Sequence, residues 1–316
     1  MATARDYDDL VRSYISPTMT DNVYDATPLL KRFKARAKVR ELSDWHNLLL
    51  EVSEGLGGPY HDLETIDRSR KEITRYSTWQ MKEYYAPLTV SWRDRKICKG
   101  PEDVVDLLQA KARNAQKKLA KDLTSGIVSD GTTNTKHFVG LQRAIPDSAS
   151  ADTSAYGGIT ASTDSFWACQ NQNKSTTTVT YVDIVNMITA CTDGTEKPSI
   201  IATDKFIQAY IWAVLLQPQE RYNDGKINTA SGLPEVAGVG IITDVAFESS
   251  GATGGRMYFI DENHLRLWIH RRDNMKYWPF QLADDQFAWT ARWTLSGFIG
   301  CDKRKRQGII YGIATS

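Results

Sequence analysis

The stretch 100–131 most constrains the fold of this chain, because it predicts one long α-helix. Pro101 suits the first helical turn, where no amide donor is needed, and the Asp130-Gly131 pair ends the pattern. Apolar residues recur every three or four positions, as in a helix with one buried face. They are Val104, Leu108, Ala112, Ala115, Leu119, Leu123 and Ile127. At about 1.5 Å per residue, a helix over 101–128 would span roughly 40 Å, so we expect it to be the spine for other elements.

A second strong pattern lies near the end of the chain, at 287–299. Apolar residues stand at every odd position and mostly polar residues at the even ones, which predicts a long strand with one buried face. The odd positions are Phe287, Trp289, Ala291, Trp293, Leu295, Gly297 and Ile299. We predict that 308–313 return as its antiparallel partner, and we interpret the basic turn 302–306 as a solvated loop in preference to a binding element.

Between these patterns, helix and strand signals alternate, which predicts an α/β unit. A helix is expected at 181–191 with Val182, Val185 and Ile188 on one side, followed by a short buried strand at 198–202. Asp204 should cap a second helix. Further strands are predicted at 239–242 and 257–260.

Charged and apolar residues alternate within 29–40, which predicts an extended segment with one basic side. The basic residues are Lys34, Arg36, Lys38 and Arg40. They would contact phosphate or an acidic neighbour, or simply form a solvated strand face. The sequence leaves both interpretations open.

Two extended runs, at 45–52 and 73–93, flank a glycine-rich tip that contains Gly55 and Gly57. This pattern predicts a long β-hairpin with little core of its own, which must pack on another element or another copy. The glycines lack the following Lys-Ser/Thr of a phosphate-binding loop and do not open a helix. We therefore do not interpret the tip as a nucleotide site.

The composition is that of a globular protein, with 316 residues, 41% hydrophobic and 24% charged. The formal net charge of +1 gives no overall attraction to nucleic acid, so any such contact needs a local patch. The four cysteines are widely spaced, which favours reduced thiols over disulfides or a metal site. No signal peptide and no long apolar run is recognisable, so we expect a soluble protein of a reducing compartment, without membrane contact.

A search of the sequence for catalytic chemistry finds no candidate. The histidines lack metal-binding spacing, and there is no nucleophile-elbow motif or recognisable Cys-His context. His264 and His270 are interpreted as surface or packing residues rather than metal ligands. We predict no catalytic residue, no cofactor and no metal.

The order of the elements, together with several short phrases, resembles the major capsid proteins of tailed bacteriophages with the HK97-type fold. The resemblance covers almost the whole chain and rests on organisation rather than on a catalytic signature. The matching phrases are Asp25-Ala-Thr-Pro-Leu-Leu-Lys31, Pro101 to Gly131, Gly140-Leu-Gln142, Tyr156-Gly-Gly-Ile159 and Phe166-Trp167.

The resemblance implies an α+β fold in five segments. They are an N-terminal arm (1–43), an extended hairpin loop (44–98), a peripheral domain with the spine helix 101–128 (99–175), an axial domain (176–285) and closing strands of the peripheral domain (286–316). The function it implies is structural. Many copies, as pentamers and hexamers, would build an icosahedral head around double-stranded DNA, in a virion assembled in the host bacterial cytoplasm.

The other partners implied are a portal, a separate scaffolding protein and a decoration protein. A separate scaffold is expected because the sequence begins at the arm, without the helical extension of some relatives. The candidate contacts between subunits or with DNA are Lys34, Arg36, Lys38, Arg40, Gly55, Gly57, Lys117 and Lys121. The hairpin contains Lys71 and Lys82, but no environment for an isopeptide bond is recognisable, so we predict no cross-link.

Three alternatives remain. An encapsulin-like compartment shares the architecture and encloses proteins; the N-terminal arm favours the phage interpretation. A soluble α/β enzyme is disfavoured because no acid, base, metal or nucleotide motif converges. A tail or decoration protein suits the spine helix poorly.

Overall fold

The computed structural model describes residues 8–9, 11–12, 22–24, 27–53, 58–59, 61–62, 69, 71–97, 101–216, 235–248, 255–282 and 287–314. The α-helices in this part of the chain are α1 (Pro28–Ala35), α2 (Trp92–Ile97), α3 (Pro101–Val128), α4 (Leu141–Ala144), α5 (Tyr181–Cys191), α6 (Lys205–Tyr210) and α7 (Val245–Glu248). The strands are β1 (Lys38–Arg40), β2 (Trp45–Glu51), β3 (Thr74–Gln80), β4 (Lys82–Ser91), β5 (Gln170–Thr177), β6 (Ile200–Thr203), β7 (Glu235–Val236), β8 (Val239–Thr243), β9 (Gly255–Ile260), β10 (Leu265–His270), β11 (Lys276–Leu282), β12 (Ala288–Cys301) and β13 (Gly308–Ile313).

The predicted spine helix is confirmed as α3, with the predicted bounds. Its apolar stripe is buried from Leu108 to Ile127, while Val104 in the first turns is half-buried. Strand β4 packs along α3 and buries every second side chain against it. A single helical face therefore organises much of the core.

The role of Gly126 in α3 yields a testable prediction. The Tyr84 hydroxyl lies where a β-carbon at Gly126 would stand, and it accepts a hydrogen bond from the Phe138 amide at 3.0 Å. In an open helix, Gly→Ala adds about 1 kcal/mol of stability. Here we expect Gly126→Ala to lower the free energy of unfolding by about 1–3 kcal/mol, because the buried tyrosine must shift. Urea denaturation measures the change.

The matched control is Ser125→Ala, at an exposed position one residue earlier. Its effect should stay within about 0.5 kcal/mol. A stability gain in Gly126→Ala would contradict the steric account.

The first sheet has the order β1-β10-β12-β11, with β4 also paired to β12. The predicted alternation holds in the first half of β12, where Ala291, Trp293 and Leu295 are buried. From Ser296 onward both faces are buried, because the hairpin covers the outer face there. Phe287, predicted to face the core, is 90% exposed and precedes the strand.

The predicted pairing of 308–313 with the closing strand is wrong. Strand β13 lies in a second sheet, of order β5-β13-β9-β6-β8-β7, antiparallel to β9 and parallel to β5. The physical reason is that β10, β11 and β4 already hydrogen-bond to β12. The turn after Cys301 instead carries the chain from one sheet to the other.

The segment 29–40 is not one extended run, as its alternation predicted. Its first part is α1, which Thr27 caps by accepting a hydrogen bond from the Leu30 amide. The buried residues of α1 are Leu29, Leu30 and Phe33, which share one helical face. Helical packing of these apolar residues overrides the alternation, and only 38–40 form a strand, parallel to β10.

The hairpin is shorter than predicted. Strands β2 and β3 pair in antiparallel register, but the returning arm divides at Met81. Strand β4 pairs with β12 rather than with the hairpin. The tip glycines Gly55 and Gly57 lie outside the described residues.

The predicted elements of the α/β region are found, including the Asp204 cap of α6. Helix α5, however, buries Ile184, Met187, Ile188 and Cys191, and Val182 is 63% exposed. The sequence placed the helix correctly; of the three apolar residues that it put on one side, Ile188 is buried, Val185 is half-buried and Val182 is exposed, because β9 and β13 pack nearer to Ile184 and Met187.

Helix α5 begins with a capping box that predicts a pH-dependent contribution to stability. Asp183 accepts hydrogen bonds from Lys174 Nζ and from the Thr180 amide, both at 2.8 Å. Burial alone would raise the pKa of Asp183, but these hydrogen bonds lower it well below its usual range. The carboxylate therefore adds stability above the unfolded pKa of about 3.9, and this contribution is lost as the pH falls through the folded value.

We expect Asp183→Asn to lower the free energy of unfolding by about 1–2 kcal/mol at pH 7. The difference from wild type should be smaller at about pH 3, because the unfolded wild-type chain takes up a proton at Asp183 there, whereas the folded chain, with its lowered pKa, does not. Urea denaturation at both pH values tests this, with the exposed Asn186→Ala as the control. An equal difference at the two pH values would refute the linkage.

The described cysteines are buried free thiols, as predicted; they are Cys169, Cys191 and Cys301. Burial raises the pKa of Cys169 to about 11, so its thiol stays protonated. Cys98 lies outside the described residues.

Candidate assembly surface

The hairpin of β2 and β3 has two faces with different surroundings. Its inner face rests on the chain's own first sheet, where the Trp79 ring stacks on Phe298 with centroids 6.0 Å apart. The Trp79 ring also meets Tyr156 edge-on at 4.6 Å, and the Thr78 amide donates to the Gly157 carbonyl at 2.9 Å. The hairpin is therefore anchored within the subunit.

The outer face of the same hairpin is uncovered and carries three large apolar side chains among polar ones. Trp45, Leu49 and Tyr76 are 57%, 56% and 67% exposed. Leu49 stands directly opposite Tyr76 in the ladder, so their side chains form one cross-strand pair. An apolar strip on a thin two-stranded element is typical of a surface that a partner covers.

Ion pairs hold the hairpin at its end near the tip. Arg75 contacts Asp164 at 2.6 Å and Glu72 at 2.9 Å, and Lys303 contacts Glu51 at 3.2 Å. Hydrogen bonds from Arg75 lower the pKa of Glu72. Because these pairs join the hairpin to two separate loops, its orientation is defined before any partner binds.

The predicted basic residues of the arm do not share one face. Lys34, on α1, lies 4.3 Å from the centroid of the Tyr24 ring, and Arg36 donates to Asn263 Oδ1 at 2.9 Å. Only Lys38 and Arg40 come together, at 5.1 and 5.5 Å from the centroid of the Trp268 ring.

The environment of Lys38 is crowded with cations. Burial lowers its pKa, and the charges of Arg266 and Arg40 lower it further, while Asp302 acts in the opposite direction. This corner of the first sheet is thus a basic patch of Lys38, Arg40 and Arg266.

Lys117 and Lys121 are exposed on α3, opposite its buried stripe. They are four residues apart, so they lie on the same side of the helix. Their neighbour Lys118 is paired with Asp122 at 2.7 Å. The two lysines therefore remain candidates for contact with an anionic surface.

The sequence interpretation missed the two arginines of the basic turn, which is not a solvated loop. Arg304 has 0% of its side chain exposed and pairs with Asp152 at 3.1 Å. It also donates to the carbonyls of Ala144 at 2.6 Å and Arg143 at 3.1 Å. A run of charged residues carries no signal of such burial, which depends on a loop more than a hundred residues away.

The second arginine lies in a cluster of charged residues. Ligand atoms of Glu196, Asp261 and His264 lie within 4.8 Å of one another, a spacing that a metal ion could bridge. Arg306 lies among them, however, and forms ion pairs with Glu196 and, at 3.9 Å, with Asp261. The guanidinium already supplies the positive charge, so we interpret the cluster as an ion-pair network.

Comparison of the sequence with protein-family models and with curated proteins found no match. Solved structures, in contrast, match nearly the whole chain. The capsid asymmetric unit of cyanophage A-1(L) is similar with a TM-score of 0.70 and 14% identity, over 91% of this chain and 92% of that one. The capsid of Myoviridae phage XM1 gives 0.54 and 12%, over 88% and 90%.

A cellular shell protein is also similar. The holo-SrpI encapsulin complex from Synechococcus elongatus gives a TM-score of 0.57 at 8% identity, over 90% of this chain and 88% of that one. At these identities the likeness establishes the fold. The chain therefore has the HK97-type capsid fold, a mixed α+β architecture, as its sequence predicted.

None of the described helices is both long enough and apolar enough to cross a bilayer.

Proposed function

We propose that this protein is a major capsid subunit, many copies of which assemble into an icosahedral phage head around double-stranded DNA. The observation that carries the proposal is the combination of the HK97-type fold with an anchored hairpin whose outer face, Trp45, Leu49 and Tyr76, is exposed. Fully burying one such side chain contributes about 1.5–3 kcal/mol. Repetition across a shell makes modest contacts collectively strong.

The proposed division of labour follows the segments predicted from sequence. The arm (1–43) and the hairpin loop (44–98) reach neighbouring subunits, the peripheral domain (99–175 and 286–316) supports them, and the axial domain (176–285) surrounds the fivefold and sixfold positions. The paired strands β2 and β3, with one face anchored and the other uncovered, support the assignment of a contact loop, whereas β4 belongs to the first sheet.

Lys117 and Lys121 are the residues we propose to face packaged DNA. Exposed lysines neutralise phosphate without reading bases, which suits a shell that holds any sequence. Lys38 and Arg40 form a second basic patch, whose position in the shell the proposal leaves open. A portal, a separate scaffolding protein and a decoration protein are further proposed partners, as are assembly in the host cytoplasm and a final location in the virion.

Electron microscopy tests the proposal directly. The protein would be expressed alone and together with the genes beside its own, and the particles imaged by negative stain. Closed shells or capsomer-sized rings are expected. A uniform monomer or small oligomer under both conditions would overturn the proposal.

An encapsulin-like compartment is the second candidate, favoured by the similarity to the encapsulin structure. The contents of purified native particles distinguish the two. Nuclease-protected double-stranded DNA supports the phage head, whereas particles filled with a second protein and free of DNA support the compartment.

A further inference from the structure

The turn between β12 and β13 is the covalent crossing from the first sheet to the second, and it is clamped on two sides. Arg304 holds it to the loop that contains Asp152. Arg306 holds it to the loop that follows α5, where Nη2 lies 3.3 Å from the carbonyl oxygen and 3.5 Å from the carboxylate of Asp193.

His264 contacts the Arg306 clamp in a way that depends on its charge. Its Nδ1 lies 2.7 Å from the Asp302 carboxylate, which accepts hydrogen bonds only, so Nδ1 carries the proton. Its Nε2 lies 3.1 Å from Arg306 Nη1, which donates only. Nε2 can therefore accept this bond only while the imidazole is neutral.

Protonation of His264 would replace that acceptor with a second donor. The nearest acceptors for the new N–H are Glu196, at 3.4 Å, and Asp261, at 3.9 Å from Nε2. Arg306 pairs with the same two carboxylates. The imidazolium would thus compete with Arg306 for Glu196, the residue that ties the turn to the loop after α5.

The charged groups around His264 come from several elements. Asp302 and Arg306 belong to the turn, Asp193 and Glu196 to the loop after α5, and Asp261 to the turn after β9. Lys38 of β1 lies near enough to sense the Asp302 charge. The His264 side chain is 14% exposed, so water can deliver the proton.

We propose that His264 is a proton-operated switch of the Arg306 clamp, which holds the turn between β12 and β13 to the loop after α5. When the imidazole is neutral, Arg306 contacts both Glu196 and His264, and the turn 302–307 stays bound to the loop 193–196. With an imidazolium, Glu196 is shared with His264, and the contact between 302–307 and 193–196 loosens. The proposal stands on this geometry and does not depend on the proposed capsid function.

Hydrogen exchange with mass spectrometry, on the unassembled full-length protein, tests the switch at pH 7.5 and pH 5.5. After correction for intrinsic exchange rates, peptides covering 193–196 and 302–307 should lose about fivefold or more in protection at the lower pH. His264→Gln should abolish the difference, because an amide can donate to Asp302 and accept from Arg306 at either pH. His270→Gln, at the far end of β10, should keep it.

Persistence of the pH difference in His264→Gln, or its absence in wild type, would overturn the proposal. A second measurement needs no variant. NMR of the wild-type protein with labelled histidine should show the Nδ1–H tautomer of His264 at pH 7.5. The Nε2–H tautomer would equally overturn the proposal, because Nε2 could not then accept from Arg306.

Discussion

Replacing Arg304 with methionine is expected to lower the free energy of unfolding by about 3–5 kcal/mol, because it leaves the Asp152 carboxylate buried without its cation. Asp152 is only 5% exposed, and the guanidinium also holds the carbonyls of Arg143 and Ala144. The Arg304 guanidinium carbon lies 5.4 Å from the centroid of the Tyr156 ring, so packing is lost as well. Urea denaturation of the unassembled subunit measures the change.

The control is Lys305→Met, on the same turn but exposed. It should change the free energy of unfolding by no more than about 0.5 kcal/mol. The double variant Arg304→Met/Asp152→Leu removes the carboxylate as well. Its loss of unfolding free energy should be smaller, by about 1–3 kcal/mol, than the sum of the losses in the two single variants. A small effect of Arg304→Met alone would mean that water reaches the pair.

The second large effect is expected on assembly rather than on folding. Leu49→Ser combined with Tyr76→Ser should lower the subunit's free energy of unfolding by no more than about 1 kcal/mol, because both residues are exposed and only their cross-strand pair is lost. If a neighbour buries the exposed part of both side chains, somewhat more than half of each, every contact between subunits loses about 2–4 kcal/mol. Every 1.4 kcal/mol is tenfold in affinity, so shells should give way to free subunits or small rings.

Size-exclusion chromatography with electron microscopy would show this outcome. Tyr76→Phe is the matched control, because it keeps the apolar ring and should still form shells. Normal shell yield from the double variant would exclude the outer hairpin face as an assembly contact. It would leave the fold, and the other candidate contacts, unaffected.

Features governed by local spacing were predictable from the sequence. The spine helix has its predicted bounds because its apolar residues recur at the helical period and its ends carry local signals. The Asp204 cap and the first half of β12 follow from similarly short-range patterns. These features need only neighbouring residues to be understood.

The assembly surface was only partly predictable. The two extended runs at 45–52 and 73–93 around a glycine-rich tip indicated a hairpin, but not which of its faces rests on the subunit. The face that rests on the subunit is the one that carries Trp79, because the Trp79 ring packs on Phe298 and Tyr156, which are distant from it in the sequence. Trp45, Leu49 and Tyr76 are exposed as a consequence.

The sequence by itself determined the spine helix, the mixed α+β character and the resemblance to capsid subunits, because local period and element order express them. Only the tertiary structure decided that Arg304 and Arg306 are buried, that β13 joins the second sheet, and that 28–35 is a helix. Each of these depends on partners distant in the chain. The sequence on either side of a charged or apolar residue does not show which distant segment will cover its side chain.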